Sequence, residues 1–63
     1  MNLFVNGEHR RLPDAVTVAE LVGEPRRGLA VAVNGEVVPR AGWPRTMLRD
    51  GDRVEVLTAA QGG

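Results

Sequence analysis

The chain has 63 residues, with 8 Lys+Arg against 8 Asp+Glu, and this even balance argues against broad nucleic-acid binding, which needs a basic face to release counterions. All the basic residues are arginine, which excludes Schiff-base chemistry on lysine, a P-loop lysine and lysine-linked chain growth. With no cysteine and a single histidine, disulfides, thiolate nucleophiles, zinc-thiolate sites and His-based metal clusters are excluded as well. Asn2-Leu3-Phe4-Val5 reads as a first strand, and Asn6-Gly7 after it signals a hairpin, because a type I′ turn needs positive φ at both central positions. Glu8 to Leu12 is the returning strand, stopped by Pro13 and Asp14, since proline offers no ladder donor.

A short helix comes next. Thr17 and Glu20 form a capping-box pattern, with Val16 and Leu21 placed as its hydrophobic staple. Val18, Leu21 and Val22 share one helical face, Gly23 suits the stop and Pro25 opposes continuation. So short a helix is unstable alone and needs a sheet beneath it. Leu29-Ala-Val-Ala-Val33 is the third strand, with one face of large residues and one of small. Asn34-Gly35 repeats the hairpin signal, Glu36 to Val38 return, and Pro39 closes that strand. Arg40 to Leu48, with Trp43-Pro44 inside it, reads as irregular, and Asp50-Gly51-Asp52 as a tight turn. Arg53 to Thr58 is the last strand, and Ala59 to Gly63 carry no pattern.

Two hairpins, a final strand and one covering helix predict a small α+β layer. Its core is expected to hold Leu3, Val5, Val18, Leu21, Val22, Val31, Val33, Val54 and Val56, with Leu29 and Leu48 near its ends. A chain of this size buries only about 60% of its unfolded surface, leaving little room for a deep pocket. The longest apolar run, Leu29 to Val33, is far short of the ~20 residues that span a bilayer. The opening residues show no charged-then-apolar leader pattern, and a cytoplasmic protein without membrane contact is expected.

The informative feature is the closing Gly62-Gly63. Glycines pack nothing and lose the most freedom when ordered, and frayed ends are common. A chemical reading exists beside that plain one. A terminal carboxylate is ionised near neutrality and is a poor electrophile. Adenylylation gives it a leaving group, and a sulfur nucleophile can then displace AMP to leave a thiocarboxylate. Lacking a Cβ, Gly62 and Gly63 pass through a narrow channel where other residues clash. Extended, Ala59 to Gly63 reaches ~17 Å, enough to enter another protein's active site.

Met1-Asn-Leu-Phe-Val-Asn-Gly-Glu8, Ala32-Val-Asn-Gly-Glu-Val-Val-Pro-Arg40, Trp43, Leu48, Asp50-Gly-Asp-Arg-Val-Glu55 and the closing Gly62-Gly63 resemble the thiamine-biosynthesis sulfur carrier family, ThiS, over essentially the whole length. The resemblance implies a ubiquitin-like β-grasp fold: a mixed sheet of four to five strands, its first and last strands parallel at the centre, with one short helix on one face. It implies a folded domain over residues 1–58 and a flexible tail over 59–63. Gly63 would be the modified residue, and Gln61, Gly62 and Gly63 the threaded segment. Gln61 departs from any family preference for small residues beside the terminal pair. The implied partners are an E1-like adenylating enzyme using ATP and Mg, a sulfurtransferase or cysteine desulfurase, and thiazole synthase. The chain itself would be a non-enzyme that binds no cofactor.

Alternation points Leu3 and Val5 to one face and Phe4 to the other, and likewise Val54 and Val56 against Leu57. If the first and last strands are neighbours, Phe4 and Leu57 meet on the uncovered face as a partner-docking pair; the plain reading is two isolated surface apolars. Trp43 is expected to cap the core from its loop, and Asp50 and Asp52 to form a turn, not a metal site. Arg10-Arg11 and Arg26-Arg27 are expected to be solvated, and His9 exposed. No Gly-rich phosphate loop is present. Three other readings stay open: a carrier for molybdopterin or amino-acid synthesis, a passive interaction module, and a modifier joined through Gly63 to partner lysines.

Overall fold

The computed structural model describes residues 1–23 and 27–58. Strands β1 (Asn2–Val5), β2 (Glu8–Arg11), β3 (Leu29–Val33), β4 (Glu36–Val38) and β5 (Arg53–Thr58) form one sheet, with helix α1 (Val18–Val22) between the hairpins. The order across the sheet is β2-β1-β5-β3-β4. β5 runs parallel to β1 and antiparallel to β3. This is the mixed sheet, with first and last strands parallel at its centre, expected of a β-grasp. Both hairpins close as the Asn-Gly pairs dictate: Asn6 and Asn34 each take φ 51, with Gly7 at 82 and Gly35 at 85.

Thr17 caps α1 as the sequence predicts. Its side chain accepts from the Glu20 N–H at 3.1 Å, and the Glu20 carboxylate accepts from the Thr17 N–H at 2.8 Å. Gly23, at φ 83, ends the helix. Pro25 and Arg26 lie outside the described residues. The helix is short, and the chain around it is tied elsewhere: Val18 N–H donates to Thr46 O at 2.9 Å and Leu48 N–H to Val16 O at 2.8 Å. These bonds make a one-residue bridge, Thr17 to Met47, between the helix start and the long connection.

That connection is not irregular throughout. Arg40–Arg45 form a 3-10 helix, and the bridge at Met47 comes just after it. Pro44 lacks the N–H that an α-helix would use, and a 3-10 turn tolerates it in a short piece. Trp43 anchors the segment: it is buried, and its Nε1–H donates to Val38 O at 2.9 Å. Thr46 Oγ1 donates to Gly42 O at 2.8 Å, closing the last turn.

The core consists of Leu3, Val5, Val18, Leu29, Val31, Trp43, Leu48 and Val54. Leu21, Val22, Val33 and Val56, also expected in the core, pack against it but are only partly buried. The helix is too short to roof the sheet to its end. Leu21, Val22 and Val56 therefore line an open groove with Val5, Arg10 and Leu29. At one sheet edge, all four β2 residues are exposed.

Candidate functional site

Pairing register decides what the uncovered sheet face presents. Leu3, Val5 and Val54 are buried under the helix layer, so alternation turns Phe4, Arg53, Glu55 and Leu57 to the opposite face. Phe4 is 40% exposed and Leu57 62% exposed, as the sequence predicts for both. They do not meet, however. Phe4 pairs with Arg53, and Leu57 stands four residues further along β5, ~13 Å away by strand rise. Alternation assigns a residue to a face, but position along the face is set by register, which here depends on the parallel pairing of β1 with β5.

Each of the two has different company. Phe4 packs beside His9, its cross-strand partner, with ring centroids 5.4 Å apart and planes at 41°. His9 Nε2 and Asn2 Oδ1 share a hydrogen bond of 2.9 Å, so His9 is exposed as expected but tethered. Leu57 pairs with Ala30 on β3, and Ala32 pairs with Val37 on β4. Leu57, Ala30, Ala32 and Val37 therefore form an apolar stretch running diagonally across three strands, with the exposed Glu55 paired to Ala32 at its border. Val37 is 73% exposed, and sequence reading did not single it out. The signal was present in the small-residue face of Leu29-Ala-Val-Ala-Val33: small residues there leave neighbouring Leu57 and Val37 standing proud.

The Asp50-Gly51-Asp52 segment is a turn, and its carboxylates hold backbone. Asp50 Oδ1 accepts from Asn2 N–H at 2.6 Å and from Asn2 Nδ2 at 3.4 Å. Asp52 Oδ2 accepts from Arg49 N–H at 2.8 Å, and its Oδ1 from Asn34 Nδ2 at 3.0 Å. Among the described residues no group of three or more His, Cys, Asp or Glu side chains is clustered for a metal. Arg10, Arg11 and Arg27 are exposed. No described helix is long and apolar enough to cross a membrane. The predicted tail positions, Gln61, Gly62 and Gly63, lie outside the described residues; β5 ends at Thr58, which pairs with Leu29 at the edge of the core.

A family model described as the ThiS family matches residues 3–63. The sulfur carrier protein ThiS of Thermus thermophilus is 40% identical over 63 residues, a match covering 97% of this chain and 98% of that protein. A thiazole synthase of Paramagnetospirillum magneticum is 36% identical over 66 residues. That match takes in 100% of this chain, which spans only 20% of the longer protein. The crystal structure of a thiamine biosynthesis protein (ThiS) from Geobacter metallireducens superposes with a TM-score of 0.82 at 36% identity, covering 100% of both chains. The likeness thus extends over sequence, sheet topology and the residues up to the closing glycine pair, and the chain belongs to the ThiS family, with its β-grasp fold.

Proposed function

We infer that this protein is a sulfur carrier of thiamine biosynthesis and that the carboxylate of Gly63 is the group that carries the sulfur. The observation that supports this most directly is a family match running to residue 63, together with a named sulfur carrier matched along 98% of its own length. In the first step a Gly63 carboxylate oxygen attacks the α-phosphorus of ATP, and pyrophosphate leaves. An E1-like partner supplies the nucleotide site and the Mg. A sulfur nucleophile, furnished by a sulfurtransferase or cysteine desulfurase, then attacks the acyl carbon. The C–O bond to AMP breaks and a C–S bond forms, giving an acyl disulfide with the donor's persulfide. A second donor thiol then attacks the donor-side sulfur, so the S–S bond breaks, the thiocarboxylate is released and the donor is left as a disulfide. The resulting thiocarboxylate is anionic and nucleophilic, so it delivers sulfur to a carbonyl or imine carbon on the acceptor.

Residues 1–58 serve in this reading as the handle and 59–63 as the threaded segment, with Gln61 and Gly62 in the channel beside Gly63. The chain performs no chemistry of its own and works in the cytoplasm. Thiazole synthase is the acceptor partner. Supporting it is the Paramagnetospirillum protein of that name, one-fifth of whose length is similar to the whole of this chain. Docking uses the uncovered sheet face, with Leu57 in the apolar stretch and Phe4 as a second contact on β1.

Intact-mass spectrometry after incubation with an E1-like activating enzyme, ATP, Mg and a sulfur donor tests the reading. One sulfur-for-oxygen exchange, localised to Gly63 by fragmentation, is expected. An unchanged mass with an enzyme that loads a known carrier would overturn it.

A further inference from the structure

The two Asn-Gly turns look interchangeable in sequence: Val5-Asn6-Gly7-Glu8 and Val33-Asn34-Gly35-Glu36. Both asparagines take the same positive φ and both aim their side-chain amides at β5. They grip it at different places. Asn34 donates its N–H to Arg53 O at 2.7 Å and accepts from Arg53 N–H through Oδ1 at 2.9 Å. That holds the first residue of β5. Asn6 donates its N–H to Val54 O at 2.8 Å. Its Oδ1 then accepts from Val56 N–H at 2.8 Å, and its Nδ2 donates to Val56 O at 3.2 Å.

The ladder between β1 and β5 explains what Asn6 is replacing. Phe4 N–H donates to Asp52 O and Asn6 N–H to Val54 O, two residues further per bond, as in any parallel pair. Continued, the ladder would join Val56 N–H to the backbone carbonyl of residue 6, and the N–H of residue 8 to Val56 O. The chain instead reverses at Asn6-Gly7, and Glu8 pairs back onto Val5. Both polar groups of Val56 would then face the side where β1 has ended. The Asn6 amide, with one acceptor and one donor in a plane, takes the place of the missing peptide group. On its other edge β5 is held by β3 as far as Thr58.

We propose that Asn6 is a positioning residue for the modification of Gly63: its amide prolongs the parallel sheet to Val56 and so fixes the direction in which β5 hands the chain to the tail. The proposal rests on the reading of Gly63 as the loaded residue. Losing the amide frees one edge of β5 two residues before its end at Thr58, while the core pairing stays. The binding-competent fraction falls, and the apparent affinity of the activating enzyme falls in proportion. Once the tail is bound, the chemical step is unchanged.

Asn34→Gly is the built-in control, because glycine keeps the positive φ in either turn and each change removes one clamp on β5. Amide hydrogen exchange by NMR reads the clamp without any partner. Asn6→Gly is expected to raise exchange at Val56 N–H about tenfold, the loss of one hydrogen bond, relative to Val31; Asn34→Gly is expected to leave that ratio unchanged. In adenylylation assays Asn6→Gly should raise KM for the carrier about twofold with kcat unchanged, because the competent fraction falls far less than the opening constant rises, and Asn34→Gly should leave both unchanged. Asn6→Asp keeps the acceptor for Val56 N–H and should restore its protection. Unchanged Val56 exchange in Asn6→Gly, or equal KM in the two glycine variants, would overturn the proposal. Failure of the wild-type chain to load at all would sink the Gly63 reading instead, and the exchange measurement would still decide whether the clamp exists.

Discussion

Trp43 is the largest of the fully buried side chains, yet it comes from the connection between β4 and β5. One indole fills the end of a core that is otherwise valine and leucine, and its N–H finds the Val38 carbonyl at 2.9 Å. A buried Trp N–H without such a partner would be costly. Trp43→Ala is expected to lower stability by about 3–5 kcal/mol, against a total of about 5–15 kcal/mol for an ordinary domain. Urea titration followed by far-UV circular dichroism measures it, and a loss below about 1 kcal/mol would show that the connection collapses into the vacated space. The anchoring role was legible from an aromatic residue stranded in a polar, proline-containing loop. The 3-10 geometry was not, because three residues per turn over so short a span leaves no periodicity in the sequence.

Strand limits were legible because the turns announce themselves: Asn-Gly twice and Asp-Gly-Asp once, each at a place where the backbone must take an unusual φ or cap itself. The helix start was legible because Thr17 and Glu20 satisfy each other's backbone N–H groups locally. Register between strands far apart in sequence could not be read, and it is register that separates Phe4 from Leu57 and brings Leu57 to Ala30. The consequence for docking is specific. Val37→Asp places a charge in the apolar stretch at an exposed position, where stability should change by no more than about 0.5 kcal/mol. Binding to the activating enzyme should weaken by about tenfold or more, as isothermal titration calorimetry would record. Phe4→Ala should weaken it less, since Phe4 lies apart from that stretch. Equal affinity for wild type and Val37→Asp would move the contact off this part of the sheet.

On the scale of the molecule, the last strand is central in space although last in sequence. Holding β5 between β1 and β3 completes the sheet, so folding of the domain also fixes Thr58, the last residue of β5. Every described core residue precedes residue 55, which separates the stability of the domain from the chemistry assigned to its end. Deletion of Gly63 is therefore expected to leave the unfolding midpoint in urea unchanged while abolishing the sulfur-for-oxygen mass shift. A truncated chain that still loads would contradict the assignment of the carboxylate.

The two rims of the sheet differ. The β2 rim offers Glu8, His9, Arg10 and Arg11, all exposed, and a row of charge is a poor template for another backbone. The β4 rim is three residues long and carries Val37. A fibril needs an adhesive rim at both ends of every subunit, whereas the described strands offer at most one. Stacking through these two rims is therefore expected to halt at a closed pair.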